Sequence, residues 1–383
     1  MLNSKSVLFN VDRNPLLRWI LKRTFYAQFC AGENKAEVQR FIKGLEGVGY
    51  NGVCLEYAME VLEGEDHGGK EITEAEGIKI WTNGVVETIE MSKPGSFMAF
   101  KYSGMGPSAF KLLKNNAAPS EAMDKALTQV CEAAKARNIR LLPAAEPQNA
   151  QKAVDDWSLM LSRRYNTNGA ALIYNTYQCY LKHIPATVAS HIATAEKEGF
   201  VLGAKLVRGA YMETEARSVV HDTKEDTDKC YDGCAEALMK REYNNVLKPL
   251  EGSKTEMKMP KVDVFLATHN LESVERAMHI KEQLQRTSSI SSSNEKADLG
   301  EVSYSQLLGM ADEVSCALLA AQRKEANVES GEPKVYKYCT WGTLSQCLNY
   351  LLRRAAENRD AMGRTKETAR AMGNEILRRM RLQ

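Results

Sequence analysis

The stretch Tyr350-Leu-Leu-Arg-Arg-Ala-Ala-Glu-Asn358 collects side chains suited to binding an anion. On a helix, residues three and four apart share a face, which aligns Tyr350 with Arg353 and Arg354 and brings both arginines within reach of Glu357. A guanidinium group binds a carboxylate through two parallel hydrogen bonds, so the stretch suits a small carboxylic acid with an apolar body. By itself it also fits the commoner case of a solvated helix face with i,i+4 ion pairs.

A second group of candidate residues lies in Lys205-Leu-Val-Arg-Gly-Ala-Tyr211. Here an apolar run ends among two cations, Lys205 and Arg208, and Gly209 with Ala210 lets a backbone approach a ligand closely. Together with Thr268-His-Asn270, these residues offer cations, amide donors and a hydroxyl that could hold a phosphate-bearing cofactor. Alternatively, Lys205 is a buried charge paired with a carboxylate such as Glu56 or Glu146. The residues alone do not choose between these two interpretations.

Short apolar runs alternating with helical patterns must position these residues. The chain contains eight such runs: 53–55, 97–101, 139–143, 170–174, 201–207, 262–266, 302–306 and 335–339. This alternation predicts a parallel sheet covered by helices, and eight units over about 300 residues favour a closed barrel. Polar residues collect at the carboxyl ends of the runs, where barrel enzymes keep their active sites, and so indicate an enzyme. They are Lys101, Asn175, Lys205, Arg208, His269, Asn270 and Tyr338.

Composition bounds the class of protein. The chain has 383 residues, is 44% hydrophobic and 26% charged, and carries a net charge of +2, which gives no argument for nucleic-acid binding. Its nine cysteines include no CxxC pair, and its six histidines form no clear metal set, so we predict a reducing compartment and no metal site. The motifs of nucleotide hydrolases, zinc proteases and serine esterases are absent from the sequence.

The chain divides into three predicted parts. Residues 1–46 form a helical segment, with one helical stretch over 14–46; residues 47–360 form the barrel; and residues 361–383 form a basic tail with helical spacing. No apolar run reaches the length of a membrane span. Residues 1–20 lack the pattern of a signal peptide or a convincing transit peptide, so we expect any targeting sequence to be absent from this chain.

Four motifs in order resemble the proline dehydrogenase (proline oxidase) family, and most closely its eukaryotic mitochondrial form of fungal type. They are Lys205-Leu-Val-Arg-Gly-Ala-Tyr211, Ala267-Thr-His-Asn270, Gln306-Leu-Leu-Gly-Met310 and Tyr350-Leu-Leu-Arg-Arg-Ala-Ala-Glu-Asn358. The resemblance covers roughly residues 45–360. It implies an α/β fold, a distorted (β/α)8 TIM-like barrel with N-terminal helices and a last helix over the barrel mouth.

The resemblance also implies an activity, a cofactor and partners. FAD would lie at the carboxyl face of the barrel, and hydride would pass from L-proline to flavin N5 to give Δ1-pyrroline-5-carboxylate, the first step of proline catabolism. The electrons would then pass to ubiquinone, which places the protein at the matrix side of the mitochondrial inner membrane with a possible peripheral membrane association. The family does not bind nucleic acid.

Site residues carried over from the family fall into three overlapping sets. Arg353 and Arg354 would grip the proline carboxylate with Glu357 positioning them, beside Lys101, Leu308, Tyr338 and Tyr350 around the substrate. The catalytic set is Lys205, Arg353, Arg354 and Glu357. The flavin would be held by Asn175, Lys205, Val207, Arg208, Gly209, Ala210, Thr268, His269 and Asn270.

The sequence departs from the family in two places. Where the family has Asp-Ala-Glu, this chain reads Ala144-Ala-Glu146, and Tyr338-Cys-Thr-Trp-Gly342 lacks the usual proline. Two alternatives therefore accompany the main interpretation. One is a dehydrogenase of hydroxyproline or another cyclic imino acid, and the other is a barrel that binds proline without catalysis.

Overall fold

Eight parallel strands form a nearly closed barrel in the computed structural model, which describes residues 10, 11, 13–58, 73–212, 215–250, 259–290, 300–325, 333–348, 350–352, 373 and 377. The strands are β1 (Gly52–Tyr57), β2 (Phe97–Phe100), β3 (Arg140–Pro143), β4 (Tyr174–Gln178), β5 (Leu202–Val207), β6 (Val262–Ala267), β7 (Val302–Leu307) and β8 (Lys334–Trp341). Their order around the sheet is β3-β2-β1-β8-β7-β6-β5-β4. The predicted fold class is confirmed.

The barrel closes between β3 and β4 through a short contact. The amide of Leu141 donates to the carbonyl of Leu172 at 2.7 Å, and Leu141 bridges Ile173 in parallel. Closure leaves no long strand edge exposed at this seam. It also makes all eight carboxyl ends meet at one face of the barrel.

Helices follow the strands and cover the outside of the barrel. They are α4 (Glu74–Met91), α5 (Pro107–Lys114), α6 (Glu121–Ala136), α7 (Gln148–Tyr165), α8 (Ile184–Glu198), α9 (Lys224–Lys240), α10 (Leu271–Ile290) and α11 (Asp312–Glu325). Side-chain caps start several of them: Thr73 and Glu76 form a capping box on α4, and Ser120 and Thr223 accept backbone N–H groups of α6 and α9.

Aromatic rings fill the amino-terminal half of the barrel interior. Phe97 packs edge-on against Tyr174, Phe265 and Tyr336, with ring centroids 5.6, 4.5 and 4.9 Å away. These rings come from β2, β4, β6 and β8, the alternate strands that supply one layer of a barrel core. The lower interior is therefore packed, and free space for a ligand lies towards the carboxyl ends.

The fourth strand is a correction to the sequence prediction. Residues 170–174 were predicted as the strand, but β4 is Tyr174–Gln178, because its outward polar side chains are bonded to the covering helices. The Asn175 amide donates to Asp155 of α7 at 2.9 Å, and the Tyr177 hydroxyl bonds His191 of α8 at 2.9 Å. Neither partner is visible from local hydrophobicity.

The N-terminal helical segment is also broken where one stretch was predicted. It comprises α1 (Pro15–Leu21), a π-helical turn (Lys22–Tyr26), α2 (Ala27–Phe29) and α3 (Lys35–Val48). Cys30 is extended and bridges Thr340 of β8, and Gly32 has φ +154°, a conformation that favours glycine. The segment is thereby tied to the end of β8.

The start of the last helix packs on this N-terminal segment. Residues 344–348 and 350–352 are helical and share an apolar cluster with α1, α2 and the turn between them. The Tyr26 hydroxyl donates to the carbonyl of Gly342 at 2.6 Å, and the amide of Leu344 donates to Glu33 at 2.9 Å. The predicted tail, 361–383, lies outside the described residues apart from positions 373 and 377.

Candidate active site

Lys205 lies on β5 and points into the carboxyl half of the barrel, where only 5% of its surface is exposed. Its Nζ is 5.1 Å from the centroid of the Tyr338 ring, a cation–π distance. Burial lowers the pKa of Lys205, while the nearby Cys54 and Glu56 of β1 oppose that shift. A desolvated cation in a barrel mouth is a strong candidate for a functional group.

Tyr338 and Glu56 complete the surroundings of this cation. Cys54, Leu55 and Glu56 of β1 pair in register with Tyr338, Cys339 and Thr340 of β8. Burial raises the pKa of Tyr338, and the Glu56 carboxylate beside it, which accepts a hydrogen bond from the phenol, raises it further. Tyr338 therefore keeps its proton and presents a neutral aromatic face to the site.

Gln178 ends β4 at the same face of the barrel and is almost fully buried, with 1% of its surface exposed. Its Oε1 accepts the amide N–H of Ala210 at 3.1 Å, while its Nε2 has no hydrogen-bond partner in the described part of the chain. A buried donor without a partner costs about 1–3 kcal/mol, so its retention points to a ligand that accepts from it.

The Asn175 side chain does not lie with the other predicted site residues; it faces the helix outside the barrel. Strand side chains alternate between faces, and on β4 Tyr174 joins the barrel interior while the Asn175 amide bonds Asp155 on the outer helix α7. Gln178, three residues later, occupies the carboxyl end that Asn175 was expected to mark. The sequence signal was present, because Gln178 is the last polar residue of the strand once the strand is placed at 174–178.

Arg208 directly follows β5, and protein groups surround its guanidinium. It bonds Asp228 of α9 through Nε (2.8 Å), Thr268 through Nη1 and Ser273 of α10 through Nη2 (2.9 Å), and it lies 4.5 Å over the Tyr231 ring. Arg208 thus clamps two helices and the β6–α10 loop together. Its contacts suit a residue that positions the loop around a ligand.

The backbone at Gly209 makes a close approach that a side chain would prevent. Gly209 has φ +151°, and a Cβ atom there would lie 1.9 Å from Cδ1 of the Tyr180 ring. Val207 accepts the amide N–H of Cys179 at 2.8 Å, and Ala210 donates to Gln178. The β4 and β5 ends are therefore joined into one surface at this point.

The loop after β6 is ordered by its own side chains. The Thr268 hydroxyl accepts the N–H of Asn270 at 3.1 Å, and Asn270 Oδ1 accepts the N–H of Ser273 at 3.2 Å at the start of α10. His269 Nε2 accepts the N–H of Leu307 at 3.1 Å, which ties the loop to β7. The three residues predicted from the motif are thus together beside Arg208.

The predicted substrate residues come from several elements: Lys101 follows β2, Leu308 follows β7, Tyr338 lies on β8 and Tyr350 on the last helix. Lys101 follows β2 and is half-buried, and its carbonyl accepts the indole N–H of Trp81 at 3.0 Å. The amide of Leu308 donates to the carbonyl of Tyr338 at 2.9 Å. Tyr350 is buried in the apolar cluster of the last helix and lies near enough to influence the ionisation of Tyr338. Arg353, Arg354 and Glu357 lie outside the described residues.

The third strand ends at the site of the family departure. Ala144 is buried and donates its amide N–H to Phe100 at 2.8 Å, and no carboxylate occupies this position. Two residues on, the buried Glu146 accepts the Ser103 hydroxyl at 2.5 Å. Glu146 is therefore bonded to the β2–α5 connection.

A sequence profile of the family described as proline dehydrogenase matches residues 51–367. The chain belongs to the proline dehydrogenase family. The match spans the whole barrel, and the resemblance inferred from four motifs is confirmed.

Relatives of the family align along nearly all of the chain. A Schizosaccharomyces pombe protein named "Probable proline dehydrogenase, mitochondrial" is 29% identical over 96% of this chain and 80% of its own length. Proline dehydrogenase 1, mitochondrial, of Arabidopsis thaliana is 28% identical over 99% of this chain and 79% of its own length. A Bos taurus protein named hydroxyproline dehydrogenase is 25% identical over 94% and 82%.

Solved structures support the barrel fold. Proline utilization A from Bdellovibrio bacteriovorus superposes with a TM-score of 0.64 at 16% identity, over 90% of this chain and 34% of that chain. The Bradyrhizobium japonicum protein of the same name gives 0.60 at 17% identity, over 90% and 32%. The chain thus spans about a third of the length of these larger proteins, and the likeness concerns the fold.

The described residues were found to contain neither a cluster of metal ligands nor a membrane-spanning helix. Within the described ranges, no three histidine, cysteine or acidic side chains converge on a position that a metal ion could occupy. No helix in the described part of the chain is both long and apolar enough to cross a bilayer.

Proposed function

We propose that this chain is an FAD-dependent L-proline dehydrogenase that oxidises proline to Δ1-pyrroline-5-carboxylate. The observation that carries the proposal is Lys205, a cation buried at the carboxyl end of the barrel over Tyr338 and beside Glu56. A fixed charge in a water-poor site acts most strongly on charge that develops during a reaction. FAD, when bound, supplies the hydride acceptor for this chemistry.

The residues at the ends of β4, β5 and β6 fit a flavin. Gln178 offers a buried donor that awaits an acceptor, and the backbone around Gly209 leaves no space for a side chain. Val207, Ala210, Thr268, His269 and Asn270 line the same ends, and Arg208 holds the β6 loop in place. We therefore assign the amide role expected of Asn175 to Gln178.

Lys205 would hold positive charge against the negative charge that reduction places on the flavin. Lys101 would add a second cation near the substrate, and Tyr338, Tyr350 and Leu308 would enclose the proline ring and exclude water. Arg353 and Arg354 would bind the carboxylate, with Glu357 orienting one guanidinium. A two-point grip on the carboxylate leaves the ring carbon beside nitrogen directed at the acceptor.

The physiological partners follow from the same proposal. Two of the relatives above are named mitochondrial, and we place this protein on the matrix side of the inner membrane with ubiquinone as electron acceptor. The basic residues of 361–383 would support a peripheral membrane association. Reduction of a soluble quinone analogue by proline in the presence of the protein is the expected readout.

Anaerobic bleaching by L-proline is the experiment that tests the activity. The purified protein should be yellow, and proline should remove the flavin absorbance within seconds in the absence of oxygen. A yellow protein that proline does not bleach would instead favour a proline-binding barrel without catalysis, the alternative that Ala144 supports.

A second candidate substrate is hydroxyproline, because a relative bears that name. Bleaching rates for L-proline, trans-4-hydroxy-L-proline and pipecolate, measured on one preparation, separate the two. Proline should give the highest ratio of rate to half-saturating concentration, and a higher ratio for hydroxyproline would replace the proposed substrate.

The carboxylate grip has its own test. Arg353→Ala and Arg354→Ala should each raise the Michaelis constant for proline about tenfold or more, since a hydrogen bond to a charged group is worth about 1.5–3 kcal/mol. The flavin content should not change. Unaltered proline kinetics in both variants would remove the arginines from the site.

A further inference from the structure

The side chain of Glu33 joins the N-terminal segment to the start of the last helix. Its Oε1 accepts the backbone N–H of Leu344 at 2.9 Å and the guanidinium of Arg18 at 2.8 Å, and its Oε2 accepts the ammonium of Lys22. Only 11% of the Glu33 side chain is exposed. Two cations and one helix amide therefore converge on a single, mostly buried carboxylate.

The last helix begins at Leu344, and the first backbone N–H groups of a helix have no acceptor within it. Thr343 and Gln346 form a capping box: the Thr343 hydroxyl accepts the N–H of Gln346 at 3.3 Å, and Gln346 Oε1 accepts the N–H of Thr343 at 2.9 Å. Glu33 serves the amide of Leu344, and a negative charge is favourable at this end of a helix. The start of the helix thus depends on a group from a distant part of the chain.

The backbone around Glu33 is held against the barrel. Ala31 donates its N–H to the carbonyl of Thr340 on β8 at 2.8 Å, and Gly342 donates to the carbonyl of Gly32 at 3.1 Å. Both bonds lie within two residues of Glu33 on the N-terminal side. The Glu33 carboxylate is therefore fixed relative to β8, and the last helix is tied to it.

The Glu33 carboxylate is ionised at neutral pH. Burial by itself would raise its pKa, but hydrogen bonds from Lys22 and Leu344, together with the charges of Lys22 and Arg18, outweigh burial and lower the pKa. A charged acceptor binds a backbone N–H more strongly than a neutral one. Loss of the charge should therefore loosen the start of the helix even where an acceptor oxygen remains.

We propose that Glu33 is a positioning residue for the substrate and acts through the last helix, an inference that rests on the proposed function. This helix carries Tyr350. The proposed carboxylate ligands, Arg353 and Arg354, follow Leu352 directly in the sequence. Two guanidinium groups grip a carboxylate only when the backbone that carries them is correctly placed. Glu33 holds the start of that backbone in one position and thereby sets the affinity for proline.

Glu37 of α3 provides a matched control. Its Oε1 accepts the same ammonium of Lys22 at 3.0 Å, and its Oε2 accepts the N–H of Glu33 at 3.0 Å. Both of these bonds remain within the N-terminal segment. Glu37→Gln removes one negative charge beside Lys22, as Glu33→Gln does, but it leaves the acceptor of the Leu344 amide in place.

Hydrogen–deuterium exchange of the flavin-loaded protein, read by mass spectrometry, measures the hold on the helix. In Glu33→Ala, the amides within 344–352 should exchange about tenfold faster than in the parent, because the start of the helix loses its acceptor. Glu33→Gln keeps the shape and one acceptor oxygen and should raise the exchange rate about threefold. It carries the test if Glu33→Ala does not fold. Glu37→Gln should leave exchange within 344–352 unchanged.

Flavin reduction at a series of proline concentrations measures the effect on the substrate. Glu33→Ala should raise the half-saturating proline concentration about fivefold or more, while the rate at saturating proline changes by no more than about twofold. The flavin content should stay the same, whereas a general structural loss would lower it. Glu33→Gln should give an intermediate half-saturating concentration, and Glu37→Gln should match the parent.

Unchanged exchange within 344–352 in both Glu33 variants would overturn the proposal, as would equal changes in Glu37→Gln. Faster exchange with an unaltered half-saturating proline concentration would overturn it too, because the start of the helix would then not control the grip on the substrate. Faster exchange in a protein that proline does not bleach would count against the proposed function and leave the anchoring of the last helix supported, since exchange involves neither flavin reduction nor proline.

Discussion

At the amino-terminal end of the barrel, the guanidinium of Arg140 lies 3.8 Å over the Phe97 ring, and at the carboxyl end the ammonium of Lys205 lies 5.1 Å over the Tyr338 ring. Arg140 is bonded to Glu301, to the Tyr336 hydroxyl at 2.9 Å and to the carbonyl of Gly95 at 2.5 Å. Each end thus buries a cation against an aromatic ring. Among the described residues, hydrogen-bond acceptors surround the lower cation but not the upper one.

The comparison separates two uses of a buried charge. Lys334 bonds the second carboxylate oxygen of Glu301 at 2.7 Å. The lower network therefore joins two cations through one carboxylate and has a structural role. At the upper end, burial lowers the pKa of Lys205, and Gln178 retains a donor without a partner. Unpaired buried donors occur at both ends, since Arg140 also leaves its Nε without a partner in the described part of the chain. The desolvated ammonium of Lys205 is what marks the upper end as the place where a ligand binds.

The largest effect on stability should come from the lower end. Arg140→Leu removes the central cation and leaves Glu301 partly buried, so the free energy of unfolding in urea should fall by about 3 kcal/mol. Arg163→Leu breaks the exposed pair with Glu198 and should cost less than about 1 kcal/mol. Equal losses in the two variants would show that burial does not distinguish the lower network.

Lys205→Met should have the opposite profile. The rate of flavin reduction by proline should fall about 100-fold, because no fixed positive charge would then stabilise the negative charge that develops on the flavin. Stability should stay the same or rise, since a desolvated charge is removed. Stopped-flow reduction and urea unfolding measure the two quantities.

Lys337→Met is the matched control for that prediction. Lys337 is as buried as Lys205, with 2% exposed, and precedes Tyr338 on β8, but its Nζ bonds Asp312 of α11 at 2.9 Å. Its loss should change the reduction rate by no more than about twofold. A comparable slowing in both variants would assign the effect to general disturbance of the barrel.

Gln178→Ala and Asn175→Ala test which amide of β4 serves the flavin. Loss of the Gln178 amide should weaken flavin binding about tenfold, the value of one hydrogen bond of about 1.5 kcal/mol. Asn175→Ala should leave flavin affinity unchanged and lower stability, since it removes a donor to the buried Asp155. Flavin titration of the apoproteins decides, and the reverse ranking would restore the role expected of Asn175.

Strand β4 also shows how much of the fold could be predicted from the sequence. Strands β5 to β8 begin and end within one or two residues of the predicted runs, because their apolar interiors and polar ends are local features. β4 is displaced by four residues because Ala170-Ala-Leu-Ile is the more apolar run. The polar side chains of Asn175 and Tyr177 are bonded to Asp155 and His191 on the two helices that flank β4 in the chain. Such partners are properties of the assembled fold.

At the site, too, some features could be predicted from the sequence and others could not. Lys205 could be placed from sequence because it falls within an apolar strand and points inward. The engagement of Arg208 by Asp228, Thr268 and Ser273 could not, because those partners lie 20, 60 and 65 residues away along the chain. Residue type indicated a cation for the cofactor, but only the fold shows which of its N–H groups are already used.

Asp155 is another buried ionisable group, and the effect predicted for it is the smallest. Asp155 lies on α7 outside the barrel wall, and burial raises its pKa to about 6 from an ordinary value of 3.8, against hydrogen bonds from Asn175 and Gln151. A raised pKa in the folded state means that folding favours the protonated form. Its stabilising contribution is therefore complete below about pH 4 and is lost as the pH rises through about 6.

Asp155→Asn should remove that dependence. Both donors bond the same carboxylate oxygen, Oδ1, at 2.9 and 2.7 Å, so an asparagine oxygen can accept both. The stability of the variant relative to the parent should increase between pH 4 and pH 6 and reach about 1–3 kcal/mol above pH 7. Other carboxylates titrate equally in both proteins, so urea unfolding at matched pH isolates this group. A difference that stays flat with pH would mean that the two donors already stabilise the Asp155 carboxylate and that its burial does not raise its pKa.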